Sequence, residues 1–488
     1  MSLTKVSYSM INSAPVSVID YGADASGTTD STSAIQAAIN TGLSVFFPKG
    51  TYRITSLSIA SRSNVSYFGY NDVTITNVGA TTPSDGLVVL SGTISQIEFS
   101  GLKFVGDGTI NAYNYGISCA SGQTISQVTF RDLHFYNVRL GLGLNADTGG
   151  TFANSVVDSC VFDTMVGETA GNGYGIICPN AFGTIITDCT FINVGRHDVY
   201  VGRGGYVTVA NCYFKDHRKS TYTGNPRAAV QISRNVQYVV VTGCIFTNFY
   251  DGAVQIAHAT GEAGDCKNIT VSNCMFDGPL NVVPAIYLGE QAEPTTQFTR
   301  NITIVNNQFN GSELYEGPFI SATNGNQIII KDNQFTLTDI TANTSIISLG
   351  SASYSANANS CNKLTVVDNQ FNLVGTAGTV TLVALNGYVG ANVDTSVWID
   401  TKFYKYSTGI TVLVWNSPVS GYANIGVQGA VGRSTRSAIV YINSIPTTGT
   451  WNVGDIAYNI APASAGYIGW VCTTSGTPGT WKTFGLIS

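Results

Sequence analysis

Five cysteines of this chain each stand two residues before a phenylalanine, in Cys160-Val-Phe162, Cys189-Thr-Phe191, Cys212-Tyr-Phe214, Cys244-Ile-Phe246 and Cys274-Met-Phe276. Downstream the same slot holds Asn307, Asn333 and Asn369, in three copies of Asn-Gln-Phe that end at Phe309, Phe335 and Phe371. Upstream the frame continues through Phe104 and Phe135. Ten phenylalanines therefore recur about every 30 residues. Each is preceded by a short alternating strand pattern and a tight Asn or Gly turn, as in Asn301-Ile-Thr-Ile-Val-Asn-Asn-Gln-Phe309, and nothing in the unit repeats at helical spacing. Strand units of this length, with variable insertions, specify a solenoid in which each coil stacks on its neighbour. The expected fold is all-β, a right-handed single-stranded parallel β-helix of about ten coils. A propeller blade would need four strands in about 40 residues, more than these units hold.

Stacked coils place equivalent residues about 4.8 Å apart, so the five cysteines form an internal ladder that the asparagines continue. Such thiols are structural. There is no Cys-x-x-Cys pair to hold a metal, and ten cysteines among 488 residues are too few for a disulfide scaffold.

An open solenoid end exposes its apolar section and needs a cover. The segment before the coils supplies one, with Asp30 or Ser31 capping a short helix whose Ala34, Ile35, Ala38 and Ile39 form an apolar stripe. The expected organisation is a linker at 1–15, a cap at 16–59, the β-helix at 60–375, a β-rich trimerisation region at 376–443 and a small module at 444–488. In the 376–443 stretch the Phe frame is lost, and Trp398, Tyr404, Tyr406, Trp415, Tyr422 and Tyr441 suggest a surface buried between subunits or, alternatively, a sugar-binding platform.

Charged residues make up only 11% of the chain, against roughly 25% in ordinary soluble domains. The hydrophobic fraction of 44% excludes a disordered chain. With a formal charge of −6 there is no basic footprint for nucleic acid. Apolar runs such as Val239–Val241 are interrupted within a few positions, so no membrane insertion is expected. Residues 1–15 lack the apolar core of a secretory signal.

On so uncharged a surface, chemistry is expected where ionisable residues accumulate. Aligning one strand across four coils gives Val199-Tyr-Val-Gly-Arg203, Val230-Gln-Ile-Ser-Arg234, Val254-Gln-Ile-Ala-His258 and Ile286-Tyr-Leu-Gly-Glu290. Alternation points Tyr200, Gln231, Gln255 and Tyr287 outward, with Arg203, Arg234, His258 and Glu290 at the strand exit. Asn180 and Thr323 bound this strip, which is about 15 Å long over its three coil steps and long enough for several sugar units. Hydrolysis of a glycosidic bond needs two carboxyl groups about 5 to 9.5 Å apart. Glu290 is the leading candidate, with Glu293, Glu262 or Asp265 as its partner. Elimination on a uronate would instead use Arg203, Arg234, His258 and Tyr287 as cation and base. A second cluster, Arg196-His-Asp198 and Lys215-Asp-His-Arg-Lys219, reads as solvated turns two coils earlier or as further cations for an acidic substrate. No cofactor and no metal site are expected. A non-catalytic adhesin could use the same ladders for binding alone.

The Asp20-Tyr-Gly-Ala, Thr29-Asp-x-Thr-x-Ala-Ile-Gln36 and Phe47-Pro-x-Gly-x-Tyr52 blocks resemble the N-terminal cap of pectate-lyase-superfamily β-helix proteins, especially bacteriophage tailspikes. The Phe repeat extends the resemblance to about residue 375, and the 451–485 segment, Trp451-Asn-Val-Gly-Asp-Ile-Ala-Tyr-Asn459 through Gly485, is similar to a module at the C-terminal end of phage tailspikes. The resemblance implies a homotrimeric virion tail protein that acts extracellularly, binding and depolymerising a bacterial surface polysaccharide, capsule or lipopolysaccharide O-antigen. It does not choose between hydrolysis and elimination, nor between a site within one subunit and a site between subunits.

Overall fold

The computed structural model describes residues 14–78, 86–107, 115–119, 122–144, 150–167, 172–217, 228–250, 252–257, 264–279, 284–289, 299–312, 317–323, 325–350, 362–385, 397–406, 411–416, 425–427, 439–448 and 451–488, with the backbone alone at 362, 385 and within 397–441. Two compact units result, the coil stack and a unit that includes Gly421–Ser488.

Each coil contains three short strands. In the coil of Phe191 these are Ile185–Thr187, Thr190–Ile192 and the first half of His197–Ala210. Every strand pairs in parallel with its counterpart one coil away, for example Phe162↔Phe191↔Phe214 and Val199↔Val230↔Val254↔Ile286. A chain with this repeat has no alternative register, because a one-residue slip would turn every buried Val and Ile to water.

The ten phenylalanines form one continuous internal stack. Their ring centroids lie 4.5–5.2 Å apart and adjacent planes differ by 5–12°. Each such pair contributes about 0.5–1.5 kcal/mol beyond the area it buries. Glycine is needed beside the stack: a Cβ on Gly141 would lie 2.6 Å from the ring of Phe162, and one on Gly175 2.8 Å from that of Phe191.

Cys160, Cys189, Cys212, Cys244 and Cys274 are buried, free thiols. Each Sγ donates to a carbonyl of the preceding coil, as Cys160 does to Phe130 O at 3.5 Å and Cys244 to Val209 O at 3.7 Å. The asparagines do the same more tightly. Asn307 Nδ2 reaches Val271 O at 3.0 Å, and Asn333 Nδ2 reaches Ile304 O at 3.0 Å. Along the ladder, Asn307 Nδ2 also donates to Asn333 Oδ1, and Asn333 Nδ2 to Asn369 Oδ1, both at 3.0 Å. Buried amides are tolerated here because every donor finds an acceptor.

At the N-terminal end, helix Thr32–Asn40 buries Ile35, Ala38 and Ile39. Asp30 Oδ1 accepts from Thr32 N at 2.8 Å, whereas Ser31 makes no side-chain cap. Nearby, hydrogen bonds from Ser26, Thr28 and Thr29 hold the Asp24 carboxyl far below the usual carboxylate range. No helix among the described residues is long and apolar enough to cross a membrane.

Parallel pairing does not stop where the Phe frame ends. Thr379–Leu385 pairs with Thr344–Leu349 on one side and Thr411–Asn416 on the other, so the coil stack continues into the stretch expected to be a separate oligomerisation region. The C-terminal unit carries a different sheet of four strands, Ile439–Ile442, Ile456–Asn459, Tyr467–Thr474 and Thr480–Leu486. Ala457, Cys472 and Trp481 form its core, with Ile442, Trp451 and Trp470 packed against them.

Candidate functional site

The register aligns the proposed strip as expected. Tyr200, Gln231, Gln255 and Tyr287 are successive coil partners, and the apolar residues on either side of each are buried. Exposure differs from expectation. Gln231, Gln255 and Tyr287 are only 7%, 3% and 5% exposed, so this row is sheltered and not an open wall. Gln255 Oε1 is buried without a hydrogen-bond partner. An unmet acceptor of this kind costs about 1–3 kcal/mol, a penalty that a bound donor would relieve.

At the strand exit, Asn180, Arg203 and Arg234 share left-handed backbone, with φ of 59°, 37° and 62°. The pairing shifts between Gly202 and Gly204 because the next coil has one more residue at this corner. His258 and Glu290, the other two members of the exit row, lie outside the described residues, as do Glu262 and Glu293. Asp265 is described, and its carboxylate is held by Arg300 Nε of the next coil.

The described geometry gathers a different set around Tyr200. The guanidinium of Arg234 lies over the Tyr200 ring at 5.8 Å, and Ser233 Oγ donates to the Tyr200 hydroxyl at 2.9 Å. The rings of Tyr174 and His197 approach Tyr200 at 6.1 and 5.7 Å, and Arg196 covers Tyr174 at 5.4 Å. His197 Nδ1 meets Ala228 O at 2.8 Å. A carbonyl only accepts, so Nδ1 carries the hydrogen and Nε2 is the basic nitrogen of the neutral ring.

Within the cluster expected as solvated turns two coils earlier, Lys215 and Asp216 do face solvent, with side chains 44% and 45% exposed, but His197, Asp198 and His217 do not. His197 and Asp198 precede Tyr200 in its own strand, and His197, Asp198 and His217 are all buried. Asp198 Oδ2 accepts from His217 Nδ1 at 2.8 Å, with the two side chains 1% and 2% exposed. Burial raises the Asp198 carboxyl above its ordinary value while His217 opposes the shift. Neighbouring coils show how unusual this is. The Asp198 position is Gly175 in the coil before and Ala229 and Ala253 in the coils after. The His217 position, two residues past the paired Ile192, Lys215 and Thr247, is Val194 before and Phe249 after. Arg218 and Lys219 lie outside the described residues. Sequence reasoning missed Tyr174 as a site residue; the signal was an aromatic residue two places before the strand's buried Ile176.

Two family descriptions match the chain. Residues 15–254 match "Rhamnogalacturonase A/epimerase, pectate lyase-like", and residues 174–381 match "Right handed beta helix region". Over these stretches the chain is similar to pectate-lyase-like and right-handed β-helix proteins. The chain is 23% identical over 302 residues to the pre-neck appendage protein of Bacillus phage B103, and 24% identical over 315 residues to that of Bacillus phage phi29, covering 60% of this chain in each case. It spans 33% of the length of these relatives. The crystal structure of the pre-mature bacteriophage phi29 gene product 12 superposes with a TM-score of 0.55 at 14% identity, covering 88% of this chain and 60% of that one. Similarity at this level establishes the shared β-helix fold.

Proposed function

We propose that this β-helix is part of a phage virion appendage that binds and cleaves an acidic polysaccharide of the bacterial surface, capsule or O-antigen. The observation that carries the reading is the placement of Arg234 over Tyr200, with Ser233 on the Tyr200 hydroxyl and His197 beside it. A cation, a phenol and an imidazole in one sheltered row are the parts needed to bind a sugar carboxylate and move a proton next to it. The phage-appendage relatives support the virion location. Assembly as a homotrimer is part of the same proposal.

Two chemistries are open to such a site. In elimination, Arg234 and Arg203 neutralise the uronate carboxylate, His197 or Tyr200 takes the C5 proton, the C4–C5 double bond forms as the C4–O4 bond breaks, and the departing O4 oxygen takes a proton from water. In hydrolysis, Glu290 acts with Glu293, Glu262 or Asp265. The described geometry favours elimination, because its cation and base stand together, whereas Asp265 is engaged by Arg300. The test is incubation with purified acidic capsular polysaccharides, following new reducing ends and the ultraviolet absorbance of an unsaturated uronate. Reducing ends with that absorbance support elimination; reducing ends without it support hydrolysis. Retention of polysaccharide with neither signal would leave a glycan-binding adhesin.

A further inference from the structure

One corner of every coil holds a residue in left-handed backbone. In six successive coils these are Asn154, Gly183, Tyr206, Tyr238, Asn268 and Asn301, with φ between 49° and 61°. They are aligned by the paired residues just before them, Ala153↔Phe182↔Gly205↔Gln237↔Lys267↔Arg300. Asparagine and glycine suit this conformation, while a bulky aromatic residue does not. Two consecutive coils nevertheless carry tyrosine.

The rings of Tyr206 and Tyr238 stack at 4.7 Å with planes 7° apart, yet they are 63% and 45% exposed. A core role does not explain them. The coil before Tyr206 has Gly183 at the same corner, so no side chain of that residue covers the Tyr206 face. Across this gap Asn154 leans in, its Oδ1 2.6 Å from the place a Gly183 Cβ would take. On the other side the row continues with Asn268, whose Oδ1 accepts from Asn301 Nδ2 at 2.9 Å. An aromatic pair is thus bracketed by carboxamides. A pyranose offers the matching surface: a flat face of C–H bonds for the negative face of an aromatic ring, and edge hydroxyls for amides.

We propose that Tyr206, Tyr238 and the gap over Gly183 form a saccharide-stacking site, separate from the Tyr200 row, that takes a pyranose unit of a polysaccharide chain. Its ligand class rests on the glycan reading above, but not on cleavage. The sugar would occupy the next place in the ring series, about one coil spacing of 4.8 Å from Tyr206.

The test is capture of full-length protein by an array of purified bacterial capsular and O-antigen polysaccharides. Tyr206→Asn/Tyr238→Asn removes the rings while installing the residue that neighbouring coils use, so folding is retained. Gly183→Asn keeps both rings and fills the gap. Both variants are expected to bind the polysaccharide that wild type captures at least about tenfold more weakly, and Tyr206→Phe/Tyr238→Phe to bind it like wild type. Undiminished capture by Tyr206→Asn/Tyr238→Asn would overturn the site while leaving the glycan reading standing. A change of oligomeric mass in that variant would also overturn it, assigning the rings to a subunit contact. Capture of no polysaccharide by wild type would remove the glycan reading and this site together.

Discussion

The buried Asp198–His217 pair allows a quantitative test, because the next coil shows what its place looks like without charge. The diagonal neighbours there are Ala229 and Phe249, both buried. His217→Phe alone leaves a carboxylate that is 1% exposed without its cation or donor. Removing one partner of a buried pair costs about 3–5 kcal/mol, and that is the loss expected near neutral pH in chemical denaturation of the full chain. Adding Asp198→Ala recreates the Ala229/Phe249 pairing, and the double variant is expected to match wild type or exceed it by about 1–4 kcal/mol. The two substitutions should therefore be strongly non-additive. The pH dependence has a definite sign. In His217→Phe the opposing influence on Asp198 is gone and desolvation remains, so its folded pKa lies further above the ordinary 3.8. A raised folded pKa favours the protonated fold, so the deficit disappears as pH falls through that value and is complete above it. A single variant as stable as wild type near neutral pH, or a double variant as weak as the single, would refute this account. If the double variant is the more stable protein, the pair is retained for something other than stability, as expected of groups beneath a working site.

Further outcomes follow from the ladders and the assembly. Asn333→Ala strips the side-chain hydrogen bonds with Asn307 N, Asn307 Nδ2, Ile304 O and Asn369 Oδ1, all 3.0 Å; Asn307 Nδ2 and Asn369 Oδ1 keep other partners, so the loss expected in denaturation is that of Asn307 N and Ile304 O, about 1–3 kcal/mol each, and Asn333→Cys should recover part of it. Alkylation under denaturing conditions should label ten thiols by mass, while burial pushes the Cys178 thiol up to about 12, so native labelling at about pH 8 should spare it. Light scattering should give three times the 51.5 kDa chain mass, and a monomer mass would contradict the trimer. Deletion of residues 376–488 is expected to yield monomers or aggregates, and a soluble trimer would return oligomerisation to the β-helix.

Much of this fold was legible because repetition averages out local ambiguity. One Cys-x-Phe means little, but ten phenylalanines in one frame fix strand, turn and interior, and the observed stack follows that frame from Phe104 to Phe371. The same logic aligned Tyr200, Gln231, Gln255 and Tyr287 correctly. Alternation, however, gives direction and not exposure. Tyr174 and Arg234 close over Tyr200 from neighbouring coils, beside His197 of its own strand, and no single-strand pattern contains those cross-coil contacts. The Asp198–His217 pair was hidden for a related reason. Its members lie 19 residues apart on different coils, and charged residues near turns ordinarily face water. The end of the Phe frame near residue 375 suggested the end of the coils, yet parallel pairing persists with other interior residues. The unusual tyrosines at 206 and 238 became visible only once the left-handed corner row was aligned, since neither sits in a recognisable motif.

The most direct measurement of the central claim is product release from acidic capsular polysaccharide by wild type and by Arg234→Ala, read as reducing ends together with unsaturated-uronate absorbance. The account predicts both signals from wild type and a fall of about a hundredfold or more for Arg234→Ala, the size of effect seen when one charge-stabilising group is removed. Cleavage that proceeds undiminished in Arg234→Ala would contradict the placement of the chemistry at the Tyr200 row.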